Sequence, residues 1–357
     1  MKAETKPLQV KRRRSIGRGV IRFASVGVGI CVLFLVGLSI WNLAESKWLH
    51  YSNPVPGNFY AVEGKQMHIQ CTGAGAPTIV LEAAASAPWS LWRKVQPALS
   101  QITRVCSYDR AGHGWSEPRP GSRDAETIVR ELHSLLDQAG VKRPFVLAGH
   151  SAGGLYVREY AQEYPGEIAG VALIESSSPR QIDELPGFRS SYEEDKRDAK
   201  RELWEDRVRV WSGWERLLGH CSVSPNGFPG WAGQYDAMGC RPGYVDTDEI
   251  ELNYFESSSR QSRQIISFGR VPLLVITRDS AKQRNKMSPR ELAQIPVWDR
   301  EQEASKSLSP LSWRVIAHDS GHMVPLDRPD VIISEVTRLI NYVRGGPPPP
   351  FGSTSTE

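Results

Sequence analysis

The sequence predicts an α/β protein in which a mostly parallel sheet carries helices on both faces. The order of the apolar segments along the chain predicts this fold. Between residues 59 and 343, short apolar segments of strand character alternate with segments whose apolar residues recur at helical spacing. A strand that returns through a helix re-enters the sheet in the same direction, so this alternation favours parallel pairing. A separate apolar run near the amino terminus predicts one transmembrane helix ahead of the domain.

Composition agrees with one large domain that carries an insertion. The chain has 357 residues, of which 40% are apolar and 24% charged. Its formal net charge is +4, yet the first 22 residues alone contain eight Lys and Arg against one Glu. The basic charge therefore lies in a terminal tail, and the remainder offers no charge pattern for nucleic acid binding.

The apolar run from Phe23 to Trp41 contains no charged residue. It is about as long as the ~20 residues that cross a bilayer. Residues 23–43 are therefore predicted to anchor the chain, with the basic tail 1–22 in the cytoplasm and everything after the anchor outside. The alternative is a cleaved signal peptide, whose apolar core is usually only ~7–15 residues long. Residues 44–57, which include two prolines, are predicted to be a linker to a domain at 58–344.

Eight segments of the domain are predicted to be strands, and the first two form a hairpin-like pair. They are Phe59–Val62, Gln66–Cys71, Thr78–Glu82, Arg104–Tyr108, Phe145–Gly149, Gly170–Ile174, Val271–Thr277 and Trp313–Ala317. Helical spacing predicts helices between them, including one from Asp124 to Gly140 and a last one from Pro329.

The alternation stops between about residues 179 and 265, which predicts a helical cap insertion. A stripe of apolar residues runs along its charged helix, and we expect it either to be core or to line a substrate pocket; it comprises Trp204, Val208, Trp211 and Leu218. The end of the chain, residues 345–357, has four consecutive prolines and is predicted to be disordered.

Ser151 lies where the strand ending at Gly149 meets the next helix. The segment Gly149-His150-Ser151-Ala152-Gly153 has the pattern G-x-S-x-G. Glycines on both sides allow a strand to reverse sharply into a helix, which exposes the serine hydroxyl at the sheet edge. The pattern predicts Ser151 as a nucleophile; the alternative is a Gly-rich turn with an idle serine.

A serine nucleophile needs a base to accept its proton. Two histidines follow the last predicted strand, His318 and His322. We favour His322 because the preceding Gly321 loosens a loop that must fold back over the sheet edge. The earlier His50, His68 and His133 are interpreted as solvent-facing or structural.

Together these motifs resemble the α/β-hydrolase superfamily. Asp109–Ser116 is similar to that superfamily's D-x-R-G-x-G-x-S loop, Gly321-His322 to its histidine segment, and Arg328-Pro329 to the start of its last helix. The resemblance runs from about Phe59 to Val343 outside the insertion. It implies an eight-stranded sheet and a Ser-His-acid mechanism without a cofactor. A serine nucleophile argues against a dehalogenase, in which the resemblance would require an aspartate.

The acid of such a triad has two candidates. Most members of the superfamily place it after the seventh strand, where Asp279 lies nearby but lacks the usual Gly-x-x-Asp setting. Some subfamilies place it after the sixth strand, where Glu175 lies. We lean towards Glu175. As alternatives, Glu175 is a carboxylate that binds loop amides, and Asp279 a turn or cap residue.

The oxyanion hole departs from the superfamily pattern, because Glu82-Ala83-Ala84-Ala85 replaces the usual His-Gly after the third strand. One donor is expected to be the backbone N–H of Ala152. The other is placed at Ala84, with Ala83 or Ala85 as alternatives.

Cys31 lies in the apolar run, so four cysteines remain for an oxidising compartment. Cys221 and Cys240 bracket a Gly-rich loop of the insertion and are candidates for a disulfide. The resemblance makes the strands of Cys71 and Cys106 neighbours, which gives a second candidate pair. No Cys-x-x-Cys or clustered histidine predicts a metal.

The expected function is that of a serine hydrolase, a carboxylesterase-like enzyme that cleaves an ester-type bond of a small-molecule substrate. Peptidases, lactonases and acyltransferases use the same residues, so the reaction subtype stays open. The alternative from another class is a non-catalytic, membrane-anchored module that binds a ligand or partner.

Overall fold

The computed structural model describes residues 13–221, 239–241, 245–282 and 287–357. The basic tail predicted for residues 1–22 and the Gly-rich loop of the cap lie partly outside these ranges. The chain forms two compact units. One combines Met1–Pro54 with Asp206–Pro242, and the other combines Val55–Glu205 with Gly243–Glu357.

The second unit is built on one sheet of nine strands in the order β1-β2-β4-β3-β5-β6-β7-β8-β9. The strands are β1 Asn58–Val62, β2 Lys65–Thr72, β3 Ile79–Glu82, β4 Val105–Tyr108, β5 Phe145–His150, β6 Ile168–Ile174, β7 Leu273–Arg278, β8 Ser312–Ala317 and β9 Thr354–Thr356. β2 pairs antiparallel with β1 and β4, and all other neighbours are parallel. The predicted fold class is confirmed, and each of the eight predicted strands is present.

The helices are numbered here in chain order. They are α1 Arg13–Ser52, α2 Gln96–Leu99, α3 Ala125–Gln138, α4 Gly153–Glu163, α5 Gln181–Glu184, α6 Phe188–Trp211, α7 Trp214–Leu217, α8 Val245–Arg263, α9 Pro289–Ala304, α10 Val324–Asp327 and α11 Pro329–Val343. Helices α5 to α8 occupy the predicted cap insertion.

Strand residues alternate between two hydrophobic cores, one on each face of the sheet. On β5, Phe145 and Leu147 join a core with α3 and α4, while Val146 and Ala148 join the opposite core with α11. This alternation follows from the two-residue period of a strand. Helices on both faces therefore leave the carboxyl ends of the parallel strands as the open edge at which loops gather.

The tail after residue 344 is not disordered, so that prediction is wrong. β9 pairs parallel with β8, and Phe351 packs beside the rings of Trp313 and Tyr342 at centroid distances of 5.9 and 5.1 Å. The prolines end at residue 350, and the aromatic ring behind them supplies the apolar contact that orders the segment. The sheet consequently has a ninth strand that the resemblance did not imply.

The predicted linker at 44–57 is also wrong in part, because α1 continues without a break to Ser52. Only about five residues then separate α1 from β1. Of the helices in the described part of the chain, α1 alone is long and apolar enough to cross a membrane, a test that a signal sequence also meets. Most of its apolar side chains are exposed.

Both candidate disulfides are present. Cys71 and Cys106 lie opposite each other on β2 and β4, and Cys221 pairs with Cys240 in the cap. Cys31 is free and exposed on α1. The pairs cross-link loops with sequence separations of 35 and 19 residues.

The apolar stripe predicted on the cap helix is not part of the buried core, so the core alternative is wrong, while the pocket alternative stays a prediction. Trp204 is 69% exposed, and Val208 and Trp211 are about half exposed. The periodicity was correct for a helix, but it did not show what the apolar face contacts.

Candidate active site

Ser151 occupies a strained turn between β5 and α4. Its φ is +55°, in the left-handed region that a side chain with a Cβ rarely adopts. A Cβ on Gly149 would lie 2.6 Å from the carbonyl oxygen of Gly153, and one on Gly153 would lie 2.5 Å from that of Ala83. Both glycines are therefore required for the close approach of strand, helix and neighbouring loop, and the turn has the geometry of a nucleophile elbow.

His322 lies on the loop between β8 and α10, at the same edge of the sheet. Its Nε2 is 3.0 Å from Ser151 Oγ, within hydrogen-bond distance. The His322 side chain is 42% exposed, so solvent reaches the pair. The structure thus brings the predicted nucleophile and the predicted base together.

His150, immediately before the nucleophile, holds the histidine loop in place. Its Nε2 lies 2.8 Å from the carbonyl oxygen of His322. Burial, together with the proximity of the His322 ring, lowers the pKa of His150 to about 3. The ring is therefore neutral near pH 7, and Nε2 must carry the proton because a carbonyl can only accept. No sequence pattern marks this residue.

Glu175 follows β6 directly and is fully buried. Its Oε1 lies 3.6 Å from His322 Nδ1. Its Oε2 accepts a hydrogen bond from the backbone N–H of Arg278 at 2.8 Å, and Arg278 Nε lies 3.3 Å from Oε1. These contacts orient the carboxylate beside the ring nitrogen that faces away from Ser151.

Asp279 lies in a different setting. Its Oδ1 accepts from the backbone N–H of Ala281 at 2.8 Å, and its Oδ2 accepts from that of Asp319 at 3.3 Å. The histidine beside it is His318, with Nε2 3.9 Å from Oδ2. Asp279 therefore organises the turn after β7, and of the two predicted acids the structure brings Glu175 to His322.

Asp279, His318 and Asp319 form a possible metal-binding group. In the described ranges, no other set of three or more His, Cys, Asp and Glu side chains has ligand atoms close enough together to hold a metal ion. Atoms of Asp279, His318 and Asp319 lie within 4.8 Å of one another. His318 and Asp319 are exposed, and Asp279 already accepts two backbone hydrogen bonds. We interpret the group as part of the loop.

The two predicted oxyanion donors lie on adjoining backbone segments. Ala152 is the first residue ahead of α4, where the N–H groups of a helix lack intrahelical acceptors. The loop 82–86 passes directly over this helix start, as the contact between Gly153 and Ala83 shows. Ala84 belongs to that loop.

Arg110 fixes the loop 82–86 through contacts that no sequence pattern predicts. Its guanidinium donates to the carbonyl oxygens of Ala83 at 3.0 Å and Ala84 at 2.7 Å. In a trans peptide the C=O and N–H point in opposite directions, so the bond to Ala83 turns the Ala84 N–H away from Arg110. Arg110 also donates to Glu82 Oε1 at 2.6 Å. Glu82, the first residue of the segment that replaces the superfamily's His-Gly, thus binds this arginine.

The second carboxylate of the network comes from the cap. Glu251, on α8, accepts from Arg110 Nε at 2.6 Å and from the backbone N–H of Ser86 at 3.2 Å. His113 Nε2 lies 2.9 Å from it. Burial opposes ionisation of Glu251, but Arg110 and His113 outweigh it and hold the pKa of this carboxyl well below its ordinary value. Burial raises the pKa of Glu82 despite Arg110.

The motif Asp109–Ser116 is a folding element of this edge. The Asp109 carboxylate accepts from the backbone N–H groups of Trp89 at 2.7 Å and Trp115 at 3.0 Å. His68 Nδ1 lies 2.8 Å from the same carboxylate, which agrees with the structural interpretation of His68. A Cβ on Gly114 would lie 2.1 Å from this carboxylate, so glycine is required there.

A cavity of about 240 Å³ adjoins the loop 82–86. It is mostly apolar and reaches from that loop to α4 and the cap; its lining comprises Ala85, Ser86, Tyr156, Ala199, Glu251, Leu252 and Phe255. An apolar lining with a few polar groups is typical of small-molecule sites.

Comparisons with known proteins agree with this geometry. A family model described as the alpha/beta hydrolase family matches residues 72–335. The chain is 30% identical over 127 residues to the uncharacterized protein YbdG of Bacillus subtilis, an alignment that covers 35% of this chain and 39% of YbdG.

It is 34% identical over 101 residues to a putative carbamate hydrolase, RutD, of Klebsiella pneumoniae, which covers 28% of this chain and 38% of RutD. These alignments span well under two thirds of either relative. Among solved structures, a thermophilic esterase from Thermogutta terrifontis superposes with a TM-score of 0.55 at 20% identity, covering 81% of this chain and 98% of the esterase. That likeness shows the fold.

Proposed function

Because the chain belongs to the α/β-hydrolase family, we propose that it is a serine hydrolase that cleaves an ester-type bond of a small-molecule substrate. The observation that carries the proposal is the pairing of Ser151 Oγ with His322 Nε2 at 3.0 Å, on a strained elbow that a mere turn has no need to maintain. The names of RutD and the Thermogutta esterase are consistent with hydrolysis of a carbonyl compound.

In the proposed acylation step, Ser151 Oγ attacks the substrate carbonyl carbon as His322 Nε2 takes the hydroxyl proton. The carbonyl oxygen becomes an oxyanion, which the N–H groups of Ala152 and Ala84 stabilise. The tetrahedral intermediate collapses, the C–O bond to the alcohol breaks, and His322 returns the proton to the leaving oxygen. Water then attacks the acyl-enzyme by the same route and releases the acid.

Glu175 is proposed to hold the His322 ring and to stabilise the imidazolium that forms. The distance of 3.6 Å from His322 Nδ1 is longer than a hydrogen bond. Catalytic hydrogen bonds of this length in resting enzymes commonly shorten when the substrate binds. None of these steps uses a cofactor.

We further propose that α1 is retained as a membrane anchor and that the catalytic domain lies outside the cytoplasm. Two observations support this location. α1 is long and apolar enough to span a bilayer, and the two disulfides are bonds that reducing compartments do not maintain.

The catalytic assignment is tested by replacing Ser151 with alanine in the full chain and measuring turnover of short p-nitrophenyl esters. We expect a loss of about 10⁶ in kcat, as for removal of a nucleophile in a comparable triad. Ser134→Ala, on α3, is the matched control and should retain full activity. Unchanged turnover in Ser151→Ala would refute the assignment.

A fluorophosphonate probe separates this proposal from the non-catalytic alternative, because only an activated serine reacts with it. We expect one label per chain, on Ser151, and none in Ser151→Ala. A folded chain that stays unlabelled would favour the ligand- or partner-binding module instead.

A further inference from the structure

The corner between α6 and α7, residues 210–218, belongs to the same compact unit as α1. We call it the cap corner. Gly213 lies so close to α1 that a Cβ there would be 2.7 Å from the carbonyl oxygen of Leu38. Asn42 on α1 donates its side-chain N–H to the carbonyl of Val210 at 2.8 Å. The corner is therefore packed directly against one face of α1.

Buried polar contacts fix the level at which the corner meets this helix. Arg216 donates from Nε to Asn42 Oδ1 at 2.6 Å and from a terminal nitrogen to Ser46 Oγ at 2.8 Å. Asn42 is fully buried and Ser46 is 6% exposed, so the removal of a partner would leave a buried polar group unsatisfied. The corner cannot slide along α1 without breaking these bonds.

That level coincides with the end of the apolar run. Phe23 to Trp41 spans about 28 Å at ~1.5 Å per residue, close to the ~30 Å thickness of a hydrocarbon core. Leu38 and Asn42 therefore lie near the outer boundary of that core, and Ser46 lies about 6 Å farther out, at the depth of the lipid headgroups.

The surface that the corner presents at this depth is aromatic and aliphatic. Its large side chains are 42–50% exposed; they are Trp211, Trp214, Leu217 and Leu218. Trp41 on α1 is 42% exposed at the same level. Tryptophan is enriched at membrane–water interfaces, where its ring is apolar and its N–H reaches polar groups. A patch of this kind on a fully hydrated surface would be unfavourable.

We propose that the cap corner inserts into the headgroup layer of the bilayer that α1 crosses, so that its own tryptophans hold the corner at the lipid surface. This rests on the proposed retention of α1 as an anchor and is independent of the chemistry at Ser151. Continuity of the patch with the membrane-spanning helix is what identifies lipid, rather than another protein, as its partner.

The test places spin labels in the full chain in phosphatidylcholine nanodiscs, in a Cys31→Ser background. Labels are introduced through Trp214→Cys, through Leu33→Cys in the middle of the apolar run, and through Gln138→Cys on the exposed end of α3 as the aqueous control. Collision rates are then measured with oxygen, which concentrates in lipid, and with a neutral nickel chelate, which stays in water. Mass spectrometry confirms that both disulfides remain.

We expect collisions with oxygen to be the more frequent at position 33 and collisions with the chelate to be the more frequent at position 138. The ratio of the two collision rates at position 214 should lie between these values, as at headgroup depth. If the chelate reaches a label at 214 as readily as one at 138, while the label at 33 remains in lipid, the proposal for the cap corner is overturned and the proposed anchor stands. A label at 214 that neither reagent reaches would show that a protein covers the corner, which also overturns it. Chelate access at 33, or loss of residue 33 from the mature chain, would refute the anchor itself. Ester turnover, measured in parallel, reports separately on the proposed function.

Discussion

Glu175→Gln isolates the role proposed for the triad acid. The change keeps the length and shape of the side chain but removes its negative charge and places an N–H₂ group on one terminal atom. Arg278 donates to Oε2 from its backbone and lies 3.3 Å from Oε1, so the amide loses one favourable partner in any orientation. For His322, the substitution therefore removes the negatively charged acceptor, Glu175 Oε1, that lies 3.6 Å from its Nδ1.

The expected loss in kcat is about 10⁴, the cost of an aspartate-to-asparagine change in a comparable triad. This corresponds to about 5.4 kcal/mol of transition-state stabilisation. It is large because the neutral amide favours the wrong imidazole tautomer and no longer stabilises the imidazolium. KM should change little, because Glu175 is buried behind His322 and does not face the substrate side of Ser151.

The assay compares Glu175→Gln with Asp279→Asn, using p-nitrophenyl esters and the full chain. Asp279 binds loop amides and lies beside His318, so Asp279→Asn should keep activity within a few-fold of the parent. The reverse ranking would assign the acid to Asp279. Two active variants would show that neither carboxylate completes a triad, and the reasoning from geometry would fail.

Three other replacements test the surroundings of the site. Glu251→Gln removes a charged partner of the buried Arg110 and should lower the free energy of unfolding by about 3–5 kcal/mol. Because the loop 82–86 loses its support, kcat should fall by a larger factor than KM changes. Denaturant titration measures the stability and steady-state kinetics the activity; a variant with unchanged stability and kinetics would show that the network does not position the loop. Replacing Cys71 and Cys106 by serine opens a 35-residue loop and should reduce stability by about 4 kcal/mol, whereas an unchanged unfolding midpoint under oxidising conditions would contradict that. Because the folded pKa of His150 is depressed from 6.5 to about 3, its contribution is complete above pH 6.5 and is lost as the pH falls towards 3. As the pH falls through that window, the free energy of unfolding of the parent should therefore decrease by up to about 1.4 kcal/mol per pH unit more than that of His150→Gln. Equal slopes of unfolding free energy against pH in the two proteins would exclude the effect.

The elements that the sequence predicts well are those whose signals are local. Each of the eight expected strands is a short apolar segment bounded by turn residues, and each is present at or within two residues of its expected bounds. The elbow at Ser151 is equally local, since its glycines lie within two positions of it. Such patterns depend on steric limits that act along the chain.

Contacts between distant residues account for what the sequence did not decide. Whether Glu175 or Asp279 meets His322 depends on how two loops close over the sheet edge, and both residues lie in turns after strands. Glu251 is 141 positions from Arg110, inside an irregular insertion, so no spacing rule links them. The one available signal was Glu82, a carboxylate at the end of a buried strand, which must have a cationic or donor partner.

The errors have similar causes. The four consecutive prolines predicted a disordered carboxyl terminus, but Phe351 packs against the rings of Trp313 and Tyr342. Composition alone does not predict such a contact. The tryptophan stripe of α6 was expected to be core or pocket lining, yet its side chains are about half exposed or more, because periodicity does not distinguish protein from lipid or solvent. Amphipathic spacing identifies a face; only the assembled structure shows what lies opposite it.

The Arg110 network also limits how this protein can diversify. One fold can host many functions, because function depends on the sites that the fold carries. Here Glu251 on the cap helix α8 accepts a hydrogen bond from Arg110, which also donates to the carbonyl oxygens of Ala83 and Ala84. A grafted cap without a carboxylate at that position would remove one of the two carboxylates that pair with this buried arginine. Cap and loop are therefore expected to be exchangeable only as a pair, and a chimera should recover activity when both halves come from one parent.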